Sequence, residues 1–94
     1  MFDIQTGANG DILLSGRFDA SQVEKASAVF TSLQEGRVVD FAQLDYISSA
    51  GLGVLLACQK TLRDKGQGLK LVHLNPHIQD VLHFSGFDQI FEIG

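Results

Sequence analysis

The chain has 94 residues, of which 45% are hydrophobic, and 7 basic against 11 acidic side chains give it a formal net charge of −4. This length predicts a single domain over residues 1–94, and a negative chain without a basic run is a poor ligand for a phosphate backbone, so we expect no nucleic-acid partner. The single cysteine, Cys58, cannot form an internal disulfide, which fits a reducing compartment. No apolar stretch reaches the roughly 18 residues of a membrane span, and the N-terminus lacks the pattern of a signal peptide, so we expect a cytoplasmic protein without a membrane partner.

The N-terminal segment predicts a β-hairpin. Residues 2–6 alternate between apolar and polar side chains, and Asn9-Gly10 is a strong signal for a tight turn before a second strand over residues 11–17. These two strands should therefore pair antiparallel.

A helix is predicted over residues 21–34, because apolar side chains recur there at spacings of three and four. The residues on this face are Val23, Ala26, Phe30 and Leu33. Gly36 is expected to end the helix in a left-handed conformation, before a short strand over residues 37–41.

The second half of the chain predicts alternating helices and strands. A strand-like run over residues 44–47 leads into a helix over residues 49–65, and a strand over residues 69–74 follows. Asn75-Pro76 is a clear helix start, Ser85-Gly86 ends that helix, and residues 90–93 form a last strand. The inward-facing leucines of the helix over residues 49–65 are expected to be Leu52, Leu55, Leu56 and Leu62. Strands alternating with helices predict a largely parallel sheet after the hairpin.

Ser48 and Ser49 form the most unusual local feature, because two hydroxyls stand where a strand passes into a helix. Functional groups gather at the carboxyl ends of strands in open parallel sheets, and a helix start presents free N–H groups and a positive dipole. A phosphoryl group on either serine would be a stabilised anion there. The alternative is that one serine is an ordinary helix cap and Gly51 a packing residue.

Asp19 follows the second predicted strand, in the sequence Gly16-Arg17-Phe18-Asp19. If the sheet is parallel at this point, Asp19 falls at the same edge as Ser49. The alternative is that Asp19 is an N-cap residue.

A serine hydrolase is disfavoured, because neither serine has the Gly-x-Ser-x-Gly pattern of a nucleophile elbow. The three histidines, His73, His77 and His83, do not have the spacing of a metal site, and no metal or cofactor is expected. Cys58 is expected to be a buried, inert thiol. Phe84 and Phe87 are expected to belong to the core and not to a binding surface.

The segment from Asp45 to Leu56 resembles the STAS domain, the fold of the bacterial anti-sigma-factor antagonists. That family often reads as a strand, then (Asp or Ser)-Ser-(Ser, Thr or Ala)-Gly-Leu-(Gly or Arg), then a helix. Gly16-Arg17-Phe18-Asp19 looks like the family's Gly-x-(Leu or Phe)-Asp, and residues 75–87 look like its closing helix and Ser-Gly-(Leu or Phe) turn. The resemblance covers essentially the whole chain. It implies a single α/β domain with a mostly parallel mixed sheet, an N-terminal antiparallel hairpin and packed helices.

The resemblance also implies a regulatory switch and not an enzyme. In such antagonists the serine two places before the motif glycine, here Ser49, is phosphorylated by a serine kinase that doubles as an anti-sigma factor. The unphosphorylated form binds that kinase, and a metal-dependent serine phosphatase restores it. The position before the serine is often Asp and is here Ser48, which makes Ser48 the alternative acceptor. The implied partner-binding residues are Asp19, Ser48, Ser49, Ala50, Gly51, Leu52 and Gly53.

A second function remains open at this point. Some STAS subunits act as scaffolds in transport complexes, such as those that move lipids, and need no phosphorylation. Ser49 and its surroundings favour the switch without excluding the scaffold.

Overall fold

The fold is built on one five-stranded mixed sheet, seen in a computed structural model that describes residues 2–94. The strands are β1 (Asp3–Thr6), β2 (Ile12–Phe18), β3 (Arg37–Ile47), β4 (Leu69–Val72) and β5 (Glu92–Ile93). The α-helices are α1 (Val23–Phe30), α2 (Ser49–Arg63) and α3 (Pro76–Ser85), and short 3₁₀ helices occupy Ala20–Gln22 and Phe87–Gln89. The strands lie side by side in chain order; β1 and β2 are antiparallel and every later pair is parallel. The predicted α/β class and the predicted N-terminal hairpin are confirmed.

Alternate residues of the strands bury their side chains against the helices. The buried strand residues of β2 and β3 are Ile12, Leu14, Phe18, Val39, Phe41, Leu44 and Ile47. The helices contribute Ala26, Phe30, Leu52, Leu55, Leu62, Ile78 and Leu82 to the same core. This apolar burial is the main force holding the helices on the sheet, because each helix presents one apolar stripe to it.

β3 is a single strand of 11 residues, where the sequence predicted two separate runs. Its pairing with β2 is irregular: Leu13 pairs with Asp40 and Ser15 with Gln43, so β3 carries an extra residue there. The Asp40 carboxylate accepts a hydrogen bond of 2.8 Å from the Ala42 N–H within this bulge. The bulge thus bends the strand without leaving that donor unpaired.

The predicted strand over residues 69–74 ends two residues early, at Val72. His73 has a left-handed backbone, with φ +59°, which stops the extended conformation. Its Nδ1 lies 3.0 Å from the Asp40 carboxylate, which anchors the loop at this end of β4. Asn75 then caps α3 by accepting a hydrogen bond of 2.8 Å from the Ile78 N–H, as the sequence predicted.

The α1 helix is shorter than the predicted span of residues 21–34, and it ends at Phe30. The Thr31 hydroxyl donates a 2.6 Å hydrogen bond to the Ser27 carbonyl, so a side chain competes for the last carbonyls of the helix. Gly36 is not the left-handed cap that the pattern suggested. A Cβ atom there would lie 2.6 Å from the Gly68 carbonyl oxygen, so glycine is needed for the close approach of two loops.

Two burial predictions are wrong. Leu56 is only half-buried, whereas Leu55 is fully buried. Phe84 is 84% exposed, because it lies two residues, or about 200°, around α3 from the buried Leu82. Phe87 packs partly against the core.

Gln59 is the one buried polar side chain within residues 2–94, and the sequence gives no signal for it. Its amide NH₂ donates a hydrogen bond of 2.8 Å to the Ile90 carbonyl, and its amide oxygen accepts one of 2.7 Å from the Leu69 N–H. The side chain therefore links α2 to β4 and to the C-terminal segment. Cys58 on the same helix is buried, as predicted, and burial raises the pKa of its thiol, so the reactive thiolate is disfavoured.

Candidate functional site

The candidate site lies at the carboxyl ends of β2 and β3, which are parallel neighbours. Phe18 and Ile47 are the last paired residues of β2 and β3, and the Ser48 N–H donates a hydrogen bond of 2.8 Å to the Phe18 carbonyl. Asp19 and Ser48 therefore follow adjacent strands at one edge of the sheet. The prediction that Asp19 falls at the same edge of the sheet as Ser49 is confirmed.

Ser48 is the residue that caps α2. Its backbone is extended, with φ −86° and ψ 168°, and its hydroxyl accepts a 3.1 Å hydrogen bond from the Gly51 N–H. Its carbonyl accepts the Leu52 N–H at 2.9 Å, which closes the first helical turn. Ser48 is half-buried, and its hydroxyl has a structural role as the helix cap.

Ser49 occupies the first position inside the helix and is exposed. Its hydroxyl makes no hydrogen bond to any residue that the structure describes, from Phe2 to Gly94. It stands at the positive end of the α2 dipole, beside backbone N–H groups that have no partner within the helix. The two serines therefore have different roles: Ser48 caps the helix, and Ser49 presents a free hydroxyl to the solvent.

Asp19 caps the 3₁₀ helix Ala20–Gln22. Its carboxylate accepts hydrogen bonds from the Ser21 N–H at 3.0 Å and from the Ser21 hydroxyl at 2.5 Å. The hydroxyl bond is the largest cause of a pKa below the usual value for this carboxyl, with a smaller contribution from the nearby Arg17 guanidinium. Asp19 thus places a fixed negative charge at this edge of the sheet at neutral pH.

The residues just before Asp19 also have structural reasons for their identity. Gly16 has φ +81° in the middle of β2, a conformation that side-chain-bearing residues rarely adopt. The register with β3 shifts between Gly16 and Arg17. The Arg17 guanidinium then lies 4.3 Å from the centre of the Tyr46 ring, on the neighbouring strand. A cation–π contact of this kind holds both side chains in place.

Gly51 and Gly53 have different roles, although they stand only two residues apart. A Cβ atom at Gly51 would lie 3.0 Å from Ile47 and 3.1 Å from Phe18, so this glycine lets α2 pack closely on the strand ends. A Cβ atom at Gly53 would meet nothing within 4 Å. Gly51 is therefore a packing residue, whereas Gly53 leaves a flat, exposed surface next to Ser49.

This difference predicts opposite effects of the same substitution. We expect Gly51→Ala to lower the free energy of unfolding by about 1–3 kcal/mol, because the methyl group overpacks the contact with Phe18 and Ile47. Gly53→Ala should raise it by about 0.5–1 kcal/mol, because alanine is the better helix former and has room. Urea unfolding of both variants checks this, and equal effects would contradict the packing role of Gly51.

The structure places His73 away from Ser49. His73 contacts Asp40, which precedes Ile47 by seven residues along β3, about 23 Å at the usual rise of a strand. Within the described range 2–94, His, Cys, Asp and Glu side chains form no group of three that could hold a metal ion. No helix over those residues is long and apolar enough to cross a membrane.

Comparison with known proteins assigns the family. A family model described as "Mlab, STAS domain" matches residues 2–92, and the chain therefore belongs to the STAS domain family. A protein of Bordetella bronchiseptica named "Putative anti-sigma factor antagonist BtrV" is 45% identical over 76 residues, which are 80% of this chain and 66% of that protein, just under two thirds of its length. The "Anti-sigma-B factor antagonist" of Listeria monocytogenes is 32% identical over 88 residues, covering 88% of this chain and 76% of that protein.

Solved structures show the same fold. The anti-sigma factor antagonist SpoIIAA in its unphosphorylated form superposes with a TM-score of 0.71 at 18% identity, covering 100% of this chain and 87% of that chain. An anti-sigma factor antagonist from Mycobacterium paratuberculosis superposes with a TM-score of 0.76 at 21% identity, covering 99% and 83%. The five-stranded sheet with its N-terminal hairpin is thus the STAS fold.

Proposed function

We propose that this protein is an anti-sigma-factor antagonist, a regulatory protein without catalytic activity of its own. It binds a serine kinase that acts as an anti-sigma factor, and phosphorylation of Ser49 by that kinase releases it. A metal-dependent serine phosphatase reverses the modification. The names of the Bordetella and Listeria relatives support this class of function.

The observation that carries the proposal is that the two serines have different roles: Ser48 caps the helix, and Ser49 presents a free hydroxyl. Ser48 holds the helix start through its bond to Gly51, so a phosphate on the exposed Ser49 does not remove the cap. Phosphorylation therefore changes the surface and leaves the fold intact. The partner-binding surface consists of Asp19, Ser48, Ser49, Ala50 and Gly53, with Gly51 and Leu52 beneath it.

A phosphate at Ser49 changes the electrostatics of that surface strongly. It adds about −1.5 to −2 charges and three acceptor oxygens at the edge of the sheet that also carries the Asp19 carboxylate. Weakening a complex a hundredfold takes only about 2.7 kcal/mol, which repulsion and desolvation of one interface charge can supply. The chemistry of one hydroxyl is therefore enough to switch partners.

The direct test is a calorimetric titration of the cognate kinase with unmodified and with enzymatically phosphorylated protein. We expect the phosphorylated form to bind at least about a hundredfold more weakly, and phosphatase treatment to restore binding. Equal affinity of the two forms would contradict the proposal.

A scaffold subunit of a transport complex is the second candidate. It is favoured by the description of the matching family model, which names Mlab and not an antagonist. A scaffold requires no phosphorylation, so a chain that the cognate kinase neither binds nor modifies would favour this function.

A further inference from the structure

A second surface feature lies on α2, toward its C-terminal end. A shallow depression of about 460 Å³ has an apolar floor formed by Leu56 and Ile90. The rest of its lining consists of Gln59, Lys60, Arg63 and Asp64. The helical periodicity predicted that Leu56 is buried, but in the structure it is only half-buried. An aliphatic side chain therefore remains partly exposed here without a covering element.

The charge around this depression is opposite to that of the whole chain. The protein carries −4, yet the charged side chains that line the depression are two cations, Lys60 and Arg63, and one carboxylate, Asp64. Among the ion pairs of residues 2–94, Lys70 pairs with Glu92, whereas Lys60 and Arg63 pair with no carboxylate. Cations suit the C-terminal end of a helix, but the helix dipole gives no reason for a half-buried leucine one turn before them.

The depression lies on the same face of α2 as Ser49. At about 100° per residue, Leu56, Lys60 and Arg63 all fall within about 40° of Ser49 around the helix axis. Gly53 lies between them on this face and adds no side chain that would separate the two ends. The face thus presents, along one straight line, a free hydroxyl, a flat surface, and an apolar floor with two unpaired cations.

We propose that this half of α2 is a second docking site for the kinase, and that it receives an acidic segment carrying one apolar side chain. The apolar side chain fills the depression over Leu56 and Ile90, and carboxylates pair with Lys60 and Arg63. This inference rests on the proposed function, because it assigns the occupant as the partner that also contacts Ser49.

The dimensions of the helix allow a single partner to cover both ends. Lys60 and Arg63 lie about 16 and 21 Å along the axis from Ser49, at 1.5 Å per residue. A standard interface covers about 800 Å² on each partner, a patch roughly 30 Å across. Two unpaired cations are too few for an anionic membrane surface, which usually engages clusters of about 4–8 basic residues, so a protein segment is the better occupant.

The same distance separates the docking site from the switch. Both cations lie well beyond the screening length of about 8 Å at physiological salt, so a phosphate on Ser49 does not neutralise them. The effects of phosphorylation and of removing the cations should therefore add. The docking site contributes binding energy whether or not Ser49 is phosphorylated, and the phosphorylation state of Ser49 determines whether the complex dissociates.

The test measures binding of the purified cognate kinase to the full chain carrying Lys60→Gln and Arg63→Gln, over a range of salt concentrations. We expect the dissociation constant to rise about tenfold or more at low salt and to depend less steeply on salt, because two attractive charges are gone. Leu56→Gln should weaken binding by a similar factor that does not depend on salt. Urea unfolding of each variant shows whether it remains folded.

The matched control removes two cations elsewhere, with Lys25→Gln and Arg37→Gln. These side chains pair with Asp3 at 3.5 Å and Glu35 at 2.7 Å, so the net charge changes equally while the depression stays intact. We expect binding within about threefold of the unaltered chain, since distant exposed charges are screened. Equal weakening by both double variants would show a general charge effect and overturn the docking site.

Three other outcomes also decide against the inference. Wild-type affinity of the Lys60→Gln, Arg63→Gln variant would overturn the docking site while leaving the proposed function standing. Binding to vesicles of anionic phospholipid that this variant loses, with kinase binding unchanged, would assign the surface to a membrane instead. A kinase that does not bind the unaltered chain would overturn the proposed function and this inference together.

Discussion

Replacing Ser49 with alanine should abolish phosphorylation by the cognate kinase, whereas replacing Ser48 should not. The expected readout is the intact mass after incubation with kinase and ATP, which rises by one phosphate in the unaltered chain and in Ser48→Ala. The physical reason is access: Ser49 is an exposed residue with a free hydroxyl, while Ser48 is half-buried and its hydroxyl accepts a hydrogen bond from the Gly51 N–H. A mass shift that survives Ser49→Ala and disappears in Ser48→Ala would place the modification on the neighbouring residue.

The stabilities of these two variants should show the reverse order. Ser48→Ala removes the N-cap of α2 and should lower the free energy of unfolding by about 0.5–2 kcal/mol. Ser49→Ala removes no contact that the structure shows, so its effect should stay within about 0.5 kcal/mol. Thermal melting beside the mass measurement separates a lost acceptor from a damaged fold. A strong loss of stability in Ser49→Ala would mean that its loss of phosphorylation says nothing about a switch.

The largest expected effect on stability belongs to Leu55. Leu55→Ala should lower the free energy of unfolding by about 2–5 kcal/mol, because the side chain is completely buried between α2 and the sheet. In a domain of this size that loss corresponds to a melting temperature lower by about 10 °C or more. A small domain holds only about 5–15 kcal/mol in total, so this variant approaches the limit of stable folding.

Leu56→Ala is the matched control, with the same change of side chain one residue further along α2. Leu56 is half-buried in the proposed docking site, so we expect a loss below about 1 kcal/mol. The order of the two variants in kinase binding should be the reverse of their order in stability. Leu56→Ala should weaken the complex with the kinase, whereas Leu55→Ala should bind normally as long as it is folded. Urea unfolding and a binding titration measure both properties. Equal destabilisation would contradict the orientation of α2.

Much of the fold could be predicted from local patterns. Asn9-Gly10 and the alternation around it indicated the hairpin, and Asn75-Pro76 indicated the start of α3, because turns and helix caps depend on a few neighbouring residues. The alternation of strands and helices predicted the parallel sheet, and a parallel sheet brings Asp19 and the two serines to one edge. The hairpin and the helix start depend on residues close in sequence, whereas the parallel pairing follows from the order of the elements.

Tertiary packing decided what the local patterns left open. Leu55 and Leu56 are adjacent leucines, and only the orientation of α2 over Phe18 and Ile47 buries one fully and leaves the other half-buried. Phe84 is hydrophobic, yet no element covers it among residues 2–94.

The same is true of the site and of the polar core. The helix begins such that Ser48 is the cap and Ser49 the free hydroxyl, a shift of one residue that the pattern of the sequence could not resolve, since both are good capping residues. Gln59 finds partners at Leu69 and Ile90, 10 and 31 residues away, and periodicity carries no information about such distant contacts. The sequence by itself determined the order of elements and the edge where the serines lie. Which side chains are covered, and which serine is free, depends on how those elements pack, because burial is a property of neighbours that are remote along the chain.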